Sequence, residues 1–486
     1  MKRLPILSLF LAAALLGQAA CARIDLPDLG DISQASMTMS DENRIGREAM
    51  AQLRQQNAIS DDVELNAYIN MLGGKLAAAV PPGDIKFTFF VVNDNSINAF
   101  AMPGGYVGVN KGLILTTQSE GELASVLGHE MAHVTQHHIA RMQATTVSNQ
   151  LTLLATLVAA VLASRSNNSD AVIGTLSAGI GLTASNQLAF SRDFEREADR
   201  VGMQYLAAAG FDVRDMPAFF QRLQQDEHLN GADAYAFLRT HPVTVERISE
   251  AQNRAFDAPV RMRLSSVTYF LVREKIRSQS MSGADALRYY KTALDRRLFL
   301  SEGATWYGLA RARMEQQDYA GARQALSQAR KLLQPDPMLE ELEAEIDKAA
   351  GNWGQALAAY RAGRVRFPNS RIMSAGEIDA LLQTGQRQAA LKEINAQLVI
   401  YPNDPILFRL QSRVYADGDM LRFHAALGSA LYFEKQYDAA LEQYQLASQS
   451  PGDDFYLRSS IEARIRELTK MQADDKDAGK HASAIQ

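Results

Sequence analysis

The sequence predicts a mainly α-helical protein of the α+β class, in which helices with a small β-sheet precede an all-α solenoid of helix pairs. Two observations predict this organisation. In the first half, capped helical segments surround two short runs rich in β-branched and aromatic residues, which favours a small sheet among helices. In the second half, alanines recur every 34 residues, which is typical of stacked helix pairs.

Composition restricts the class of protein. The chain has 486 residues, of which 47% are hydrophobic and 22% charged, as in ordinary globular proteins. This length predicts about two to four domains. The formal net charge is −5 and the sequence contains no basic stripe, so we expect no nucleic acid among the partners.

The first 22 residues predict a secretory signal peptide. A basic start precedes an apolar run at residues 4–16, which is too short to span a membrane, and small residues then fit cleavage after Ala22. The mature chain would contain no cysteine and therefore no disulfide. Acylation of Cys21 is the alternative, but Gln18 stands where a lipoprotein signal has an aliphatic residue.

The first half contains the capped helices and the strands. Helices are predicted over residues 40–80, 119–142 and 194–209, and strands over residues 85–92 and 106–110. Ser40 is the expected N-cap of the first helix. Ser119 and Glu122 form an S-x-x-E capping box at the start of the second helix.

Two apolar segments, residues 151–163 and 171–183, follow the second helix. Each has about 13 residues, whereas a membrane-spanning helix needs about 20. We interpret them as a buried helical hairpin. A hairpin that touches a membrane surface or grips a substrate is the alternative.

The second half is built from repeats. Three alanines stand 34 residues apart, and each is followed four residues later by a bulky apolar residue. These pairs are Ala322 with Leu326, Ala356 with Tyr360, and Ala390 with Ile394. The pattern returns at Ala440, after about half a repeat has been inserted, and a degenerate copy stands at Ala286. Such pairs stack into a solenoid whose concave surface binds peptides or proteins, unless the solenoid only supports the first domain.

His129, Glu130 and His133 form an H-E-x-x-H motif within a predicted helix. Residues four apart on a helix lie one turn apart and about 40° apart around the axis, so both imidazoles can point at one ion. Imidazole is a typical zinc ligand, and Glu130 would lie beside the open coordination position as a general base. The motif therefore predicts one zinc ion per chain and a hydrolytic reaction.

A catalytic zinc needs a third protein ligand. The metzincin spacing would put a histidine at position 139, but Ile139 stands there, so that class is excluded. We interpret His137 and His138 as histidines of the surface or as supports of the ligands.

The better candidates for the third ligand lie in a later acidic helix. Glu195 and Asp199 lie one helical turn apart, so Glu195 can bind the ion while Asp199 holds a ligand histidine. Glu197 points about 200° away from Glu195 on the same helix. Only one of the two glutamates can be the ligand, and spacing alone leaves the choice open.

Two further features could take part in catalysis. His241, in a Thr-His-Pro sequence, could stabilise an oxyanion or occupy the fourth zinc position and silence the enzyme. The strand at residues 106–110 follows two glycines and could present an edge to a peptide. The expected substrate-binding residues are Tyr106, Val107, Gly108 and Val109. Such an edge suits unfolded or stalled proteins.

Three motifs carry a family resemblance. The H-E-x-x-H helix, the later E-x-x-A-D sequence and the N-A-F-A-M-P-G-G sequence at residues 98–105 resemble the gluzincin family of HtpX and the CAAX prenyl proteases. The family's zinc ligands fall on His129, His133 and Glu195, its general base on Glu130 and its supporting aspartate on Asp199. The signal peptide and the repeats of tetratricopeptide type extend the resemblance. Nearly the whole mature chain is similar to the β-barrel assembly-enhancing proteases. In that group a histidine stands in a context similar to that of His241.

The resemblance also implies a domain division and a function. A zincin-type metallopeptidase domain at residues 23–262 would follow the signal peptide at residues 1–22. A tetratricopeptide-repeat domain at residues 263–470 and a polar tail at residues 471–486 would complete the chain. The expected function is degradation of misfolded or stalled outer-membrane proteins in the periplasm, with repeats that bind substrates or the barrel-assembly machinery. Peripheral membrane contact through the two apolar segments stays an alternative. The alternative is a chaperone or adaptor with a mostly latent metal site.

Overall fold

The structure is a computed structural model that describes residues 37–83, 85–145, 150–164, 191–230 and 236–484. The expected signal peptide, Cys21 and the second apolar segment at residues 171–183 lie outside these residues. Their interpretations therefore stay predictions.

A three-stranded sheet follows two N-terminal helices in the chain. The elements are α1 (Met39–Gln55), α2 (Val63–Ala77), β1 (Thr88–Val92), β2 (Ala99–Met102) and β3 (Tyr106–Asn110). The strand order is β1-β3-β2, with β1 parallel and β2 antiparallel to β3. Both predicted strands exist, although the first begins at Thr88. The short strand β2 was not predicted, because four residues between turns give little alternation to detect.

The expectation that residues 106–109 present a free edge is wrong, because β3 is the central strand. Tyr106 is paired with Thr88 on one side and with Met102 on the other. The side chains of Tyr106, Val107 and Val109 are also buried. Within the part of the chain that the structure describes, β2 pairs with β3 alone and forms an edge of the sheet.

Local hydrogen bonds set the start of α1. Its N-cap is Thr38 rather than the expected Ser40. The Thr38 side chain accepts the backbone N–H of Asp41, and the Asp41 side chain accepts the backbone N–H of Thr38 in return. This reciprocal capping box satisfies two N–H groups, whereas a cap at Ser40 would leave them open.

The H-E-x-x-H motif lies on a helix, as predicted. After α3 (Lys111–Thr116), helix α4 (Glu120–Thr135) begins at Ser119, whose hydroxyl accepts the N–H of Glu122 at 3.0 Å. The helix does not continue to residue 142. His137 has a φ of 51°, in the left-handed region that ends helices, and a separate helix α5 (His138–Thr145) follows.

The first apolar segment forms α6 (Gln150–Ser164). Leu153, Leu157 and Val161 are buried in one hydrophobic cluster with α1 and the sheet, as the hairpin interpretation expects for this half. Within the described ranges, no helix is long and apolar enough to cross a membrane.

The acidic helix α7 (Arg192–Ala208) crosses α4 at two glycines, Gly128 and Gly202. A Cβ atom on Gly202 would lie 2.9 Å from the backbone N of His129 and 3.0 Å from the carbonyl carbon of Gly128. Helix backbone cannot yield without moving the whole element, so only glycine fits at position 202. The crossing brings the histidines of α4 against the acidic residues of α7.

The remaining helices continue to the C-terminal region. They are α8 (Asp215–Asn230), α9 (Ala236–Thr240), α10 (Val245–Phe256), α11 (Val267–Gln279), α12 (Gly283–Arg296), α13 (Glu302–Glu315), α14 (Tyr319–Leu332), α15 (Pro337–Ala349), α16 (Trp353–Arg366), α17 (Arg371–Gln383), α18 (Arg387–Ile400), α19 (Pro405–Tyr415), α20 (Met420–Phe433), α21 (Tyr437–Gln449) and α22 (Phe455–Ala484). One hydrophobic core extends from Leu65 in α2 through Tyr269 in α11 to Ile346 in α15.

The repeat prediction is confirmed. The alanines Ala322, Ala356, Ala390 and Ala440 lie in the second helices of successive pairs and are fully buried. The single helix α19 is the inserted half repeat. The polar tail expected from residue 471 is instead part of α22, which continues to Ala484, because its Ala, Asp, Lys and Gln residues include strong helix formers.

A late repeat touches the N-terminal domain at the turn between α20 and α21. The Lys435 ammonium lies 4.6 Å from the ring centre of Tyr106, and Arg47 lies 5.8 Å from the ring centre of Tyr437. Arg54 donates a hydrogen bond to the backbone carbonyl of Glu434. The solenoid therefore curves back onto the domain that precedes it.

The glycine crossing predicts the effect of one methyl group. Gly202→Ala should lower the free energy of unfolding by about 1–3 kcal/mol, as overpacking does in a close-packed core. The matched control is Gly74→Ala in α2, because a Cβ there meets nothing within 4 Å and should be neutral or stabilising. Urea unfolding followed by circular dichroism measures both variants. Equal stability of Gly202→Ala and wild type would contradict the packing argument.

Candidate metal centre

Four buried side chains meet where α4, α7 and the segment after α9 come together. They are His129, His133, Glu195 and His241, and one ligand atom of each lies within 4.8 Å of the others. Each residue is 1% exposed. The structure thus brings together the two motif histidines, one of the two candidate glutamates, and the histidine of the Thr-His-Pro sequence.

The spacing of these atoms fits a tetrahedral ion. Nε2 of His133 lies 3.0 Å from Nε2 of His129, and Nδ1 of His241 lies 3.3 Å from the same His129 atom. Oε1 of Glu195 lies 2.9 Å from the His241 nitrogen and 3.4 Å from the His133 nitrogen. A tetrahedron with zinc–ligand bonds of about 2.0–2.1 Å has edges of about 3.3 Å. The nitrogen and oxygen donors present therefore fit zinc in both type and spacing.

The charges at the centre also favour a cation. Burial opposes a charged imidazole, yet hydrogen bonds with Asp199 and Glu195 raise the pKa of His129 to about 10. Burial alone would raise the pKa of Glu195, but His241 and Arg247 hold it well below its ordinary value. Glu195 is therefore ionised, and the surrounding carboxylates stabilise positive charge at this point.

Glu130 lies beside the four-atom group and is fully buried. Neither of its carboxylate oxygens has a hydrogen-bond partner among the described residues. The nitrogen Nε2 of His241 is 3.5 Å from its Oε1. A buried carboxylate that makes no hydrogen bond is costly, which indicates that a ligand or a water completes this position. Glu130 is thus placed to accept a proton from such a water.

Asp199 and Arg247 hold the first motif histidine. Oδ1 of Asp199 lies 2.9 Å from Nδ1 of His129. Arg247 donates to both Asp199 oxygens, at 2.7 and 2.8 Å, and its Nη1 lies 2.6 Å from Oε2 of Glu195. A carboxylate on Nδ1 fixes the tautomer that leaves Nε2 free for a metal. Asp199 could be predicted from its spacing to Glu195, but Arg247 could not, because one arginine on a charged amphipathic helix has no distinguishing pattern.

Three contacts bring His241 into the centre. The N–H of Phe237 in α9 donates to the carbonyl of Ile97, just before β2, at 3.0 Å. The Phe237 ring stacks on the His241 ring with centroids 4.8 Å apart, and Arg247 donates to the carbonyl of Pro242 at 2.8 Å. These contacts fix the segment on both sides of His241.

The structure separates the two glutamates that the sequence left open. Glu195 belongs to the four-atom group, whereas Glu197 lies outside it. Oε2 of Glu197 lies 3.1 Å from Nε2 of His138 and accepts a hydrogen bond from Arg141 at 2.8 Å. This separation follows the helical angle between positions 195 and 197.

The two histidines after the motif have different surroundings. Nδ1 of His137 lies 3.4 Å from Oε1 of Glu42, away from the four-atom group. His138 is fully buried, and its Nδ1 lies 2.9 Å from Nδ1 of His133. His138 therefore contacts a member of the centre, and sequence reasoning could not distinguish it from its neighbour because the helix break at His137 was not predicted.

The arginine contacts predict a large effect of one substitution. Arg247→Met would leave Asp199 and Glu195 buried without their cation, which should cost about 3–5 kcal/mol of unfolding free energy. The matched control is Arg254→Met on the same helix, where the partner Glu250 is 39% exposed and the pair should contribute at most about 0.5 kcal/mol. Urea midpoints of both variants without added metal measure the difference. Similar midpoints for the two variants would show that the buried pair is unimportant.

Comparisons with known proteins agree with the geometry. Residues 55–255 match the model of peptidase family M48, and residues 283–337 and 342–405 match a tetratricopeptide-repeat model. A relative from Vibrio cholerae is 30% identical over 451 residues, which cover 92% of each chain. The beta-barrel assembly-enhancing protease of Yersinia pestis is 32% identical over 78% of each chain. That of Escherichia coli strain K12 is 31% identical over 79% of this chain and 80% of its own.

The fold, the donor set and these relatives lead to one assignment. The relatives extend over both the catalytic domain and the repeats, and the buried His-His-Glu-His group fits zinc. The chain therefore belongs to peptidase family M48, the family of the beta-barrel assembly-enhancing proteases, and is a zinc metalloprotease that carries tetratricopeptide repeats.

Proposed function

We propose that this chain is a periplasmic endopeptidase that degrades misfolded or stalled outer-membrane proteins. In this proposal His129, His133 and Glu195 bind zinc, and Glu130 is the catalytic base. The observation that carries it is the buried carboxylate of Glu130, which makes no hydrogen bond among the described residues and lies beside a four-donor group that fits zinc. The names of the relatives support a role in the assembly of outer-membrane β-barrels.

The proposed mechanism assigns a task to each side chain. Zinc in such sites supplies Lewis-acid polarisation of a carbonyl and activation of water near neutral pH. Glu130 takes a proton from the attacking water and gives it to the leaving amine as the peptide bond breaks. Asp199 keeps His129 in its binding tautomer, and Arg247 keeps both acidic residues ionised and in place.

The edge strand β2 offers a place for the substrate backbone. The N–H of Asn110 donates to the carbonyl of Asn98 at 3.0 Å. Because antiparallel bonding alternates along a strand, the N–H and C=O groups of Ala99 and Ala101 point away from β3. β2 also packs against α4, the helix of the motif. An extended peptide added here would be recognised mainly through its backbone, which suits unfolded chains.

His241 is proposed to keep the resting enzyme latent. Its Nδ1 lies 2.9 Å from Oε1 of Glu195 and 3.3 Å from Nε2 of His129, so it takes the position that water and substrate would need. The same segment is bonded to Ile97 through Phe237, at the start of the proposed substrate edge. This placement supports the role of a fourth ligand over that of an oxyanion donor, and cleavage would require the segment to move.

The repeats are proposed to deliver substrates or to contact the barrel-assembly machinery. Tetratricopeptide solenoids commonly bind proteins, which supports protein partners for this chain. Part of the solenoid surface is not available to partners, since Lys435 and Glu434 contact the catalytic domain. Export to the periplasm rests on the signal-peptide pattern at residues 1–22. Peripheral membrane contact rests on the second apolar segment, residues 171–183, since the first is packed against α1 and the sheet.

The second candidate function is a chaperone or adaptor for outer-membrane proteins. The position of His241 among the ligand atoms favours it, because a latent metal site would leave the repeats as the active part. A protease-dead variant that still supports barrel assembly would establish this second role.

Glu130→Gln tests the catalytic proposal. The side chain keeps its size but cannot accept a proton, so cleavage of an unfolded outer-membrane protein should fall by about 100- to 10,000-fold. Zinc content is measured in parallel and should not change. If wild type and variant cut at the same rate, Glu130 is not the base.

His241→Ala tests the proposed latency. Removing the fourth donor should open the position for water and substrate, so cleavage of the same protein should rise. His424→Ala is the control, because His424 lies in the repeats and bonds Gln443 at 2.9 Å. A loss of cleavage in His241→Ala, with zinc retained, would instead support the oxyanion role.

A further inference from the structure

The two motif histidines are supported in different ways. Nδ1 of His129 lies 2.9 Å from the carboxylate of Asp199. Nδ1 of His133 instead lies 2.9 Å from Nδ1 of a second histidine, His138. The other nitrogen of His138, Nε2, lies 3.1 Å from Oε2 of Glu197. The second motif histidine is thus joined to a carboxylate through an intervening imidazole.

The tautomers of His133 and His138 follow from which nitrogen of His133 faces the metal centre. Nε2 of His133 lies 3.0 Å from Nε2 of His129, so Nε2 is the atom that would bind zinc. A neutral His133 with a free Nε2 lone pair carries its proton on Nδ1 and must donate it. His138 can accept that proton at Nδ1 only when its own proton is on Nε2, where Glu197 accepts it. The Glu197 carboxylate therefore fixes the tautomers of both His138 and His133.

The surroundings hold this arrangement rigidly. His138 is fully buried, and its ring stacks on Phe194 with centroids 4.5 Å apart and planes 9° apart. Arg141 donates to Glu197 at 2.8 Å and lies 4.5 Å from the Phe194 ring centre. Phe194 directly precedes Glu195 in the chain. The contacts therefore tie the start of α5 to the part of α7 that enters the metal centre.

Both supports end in a carboxylate that an arginine binds, and the support of His133 contains one additional imidazole. His129 is followed by Asp199 and then Arg247, and the carboxylate is bound through two arginine nitrogens. His133 is followed by His138, then by Glu197, which Arg141 binds. The longer support belongs to His133, which lies one helical turn further along α4 than His129.

We propose that His138 and Glu197 are positioning residues for His133, and that they hold its proton on Nδ1 so that Nε2 is directed at zinc. The proposal rests on the proposed role of His133 as a zinc ligand. Partners of this kind typically change metal affinity by about 10- to 100-fold. His138 and Glu197 do not touch substrate, so their effect is expected in zinc affinity before it is seen in turnover.

The first test observes the protons directly in the wild-type chain loaded with zinc. With ¹⁵N-labelled histidine, long-range ¹H–¹⁵N spectra should show a proton on Nδ1 of His133 and on Nε2 of His138. Single His-to-Gln variants assign the signals among the eight histidines of the chain. A proton on Nδ1 of His138, or none on Nδ1 of His133, overturns the proposal, and both protons are observed in the unaltered, zinc-loaded chain.

The second test measures zinc affinity by competition with a chelating dye. His138→Phe keeps the aromatic contact with Phe194 but removes both nitrogens, so the zinc Kd should rise by about 10- to 100-fold. His138→Gln can accept and donate in one side chain and should recover part of the loss. The control is His137→Asn, because asparagine tolerates the left-handed backbone at position 137 and that residue lies outside the four-atom group.

The outcomes distinguish the pair His138 and Glu197, here called the relay, from the zinc site itself. If His138→Phe folds and binds zinc as tightly as wild type, the relay has no positioning role. If His133→Ala also leaves the Kd unchanged, the ligand assignment fails along with the relay. If only the His133 variant loses zinc, the site stands and the relay alone is rejected. Should His138→Phe not fold, the tautomers of the wild type decide.

Discussion

The close crossing of α4 and α7 is the constraint on which the site depends. Gly202 lies so near the backbone of α4 that a single added carbon would meet the nitrogen of His129 at 2.9 Å. At this separation, side chains on one helix reach side chains on the other directly. The two carboxylate oxygens of Glu195 therefore lie 3.5 and 3.4 Å from Nε2 of His129 and of His133. A wider crossing would break both the donor group and its supports.

The crossing also concentrates charge, which the surrounding residues then organise. Three acidic residues of α7 at alternate positions serve three tasks: Glu195 joins the donor group, Glu197 contacts His138, and Asp199 contacts His129. Arg247 binds two of these carboxylates from α10. A buried charge without such a partner is costly, so binding geometry and folding stability depend on the same contacts. Buried ion pairs between α7 and α10 therefore hold the donor group in place.

Much of the fold follows from local sequence, and the errors arise where contacts are distant along the chain. The motif helix, the Ser119 cap and the repeats were predictable, since each depends on residues within one period of a helix or repeat. Strand order was not, because pairing of β3 with both β1 and β2 is decided by non-local hydrogen bonds. The free edge of the sheet was therefore predicted at β3, whereas β2 forms it.

The site shows the same division between local and distant contacts. The spacing of His129, Glu130 and His133 is sufficient to predict that a metal binds. Arg247 contacts Asp199, which lies 48 positions earlier in the chain, and His138 contacts Glu197, which lies 59 positions later. Nothing in the local sequence indicates either contact. The end of α4, just before the left-handed His137, also escaped prediction, since non-glycine residues seldom adopt this conformation.

The most direct measurement is a crystal structure of the zinc-loaded chain with anomalous diffraction at the zinc edge. The account predicts one zinc per chain, bound by Nε2 of His129, Nε2 of His133 and a carboxylate oxygen of Glu195 at about 2.0–2.2 Å. In the resting state, His241 should supply the fourth ligand atom. Zinc bound elsewhere, or bound without Glu195, would contradict the central claim that the α4–α7 crossing builds the catalytic metal site.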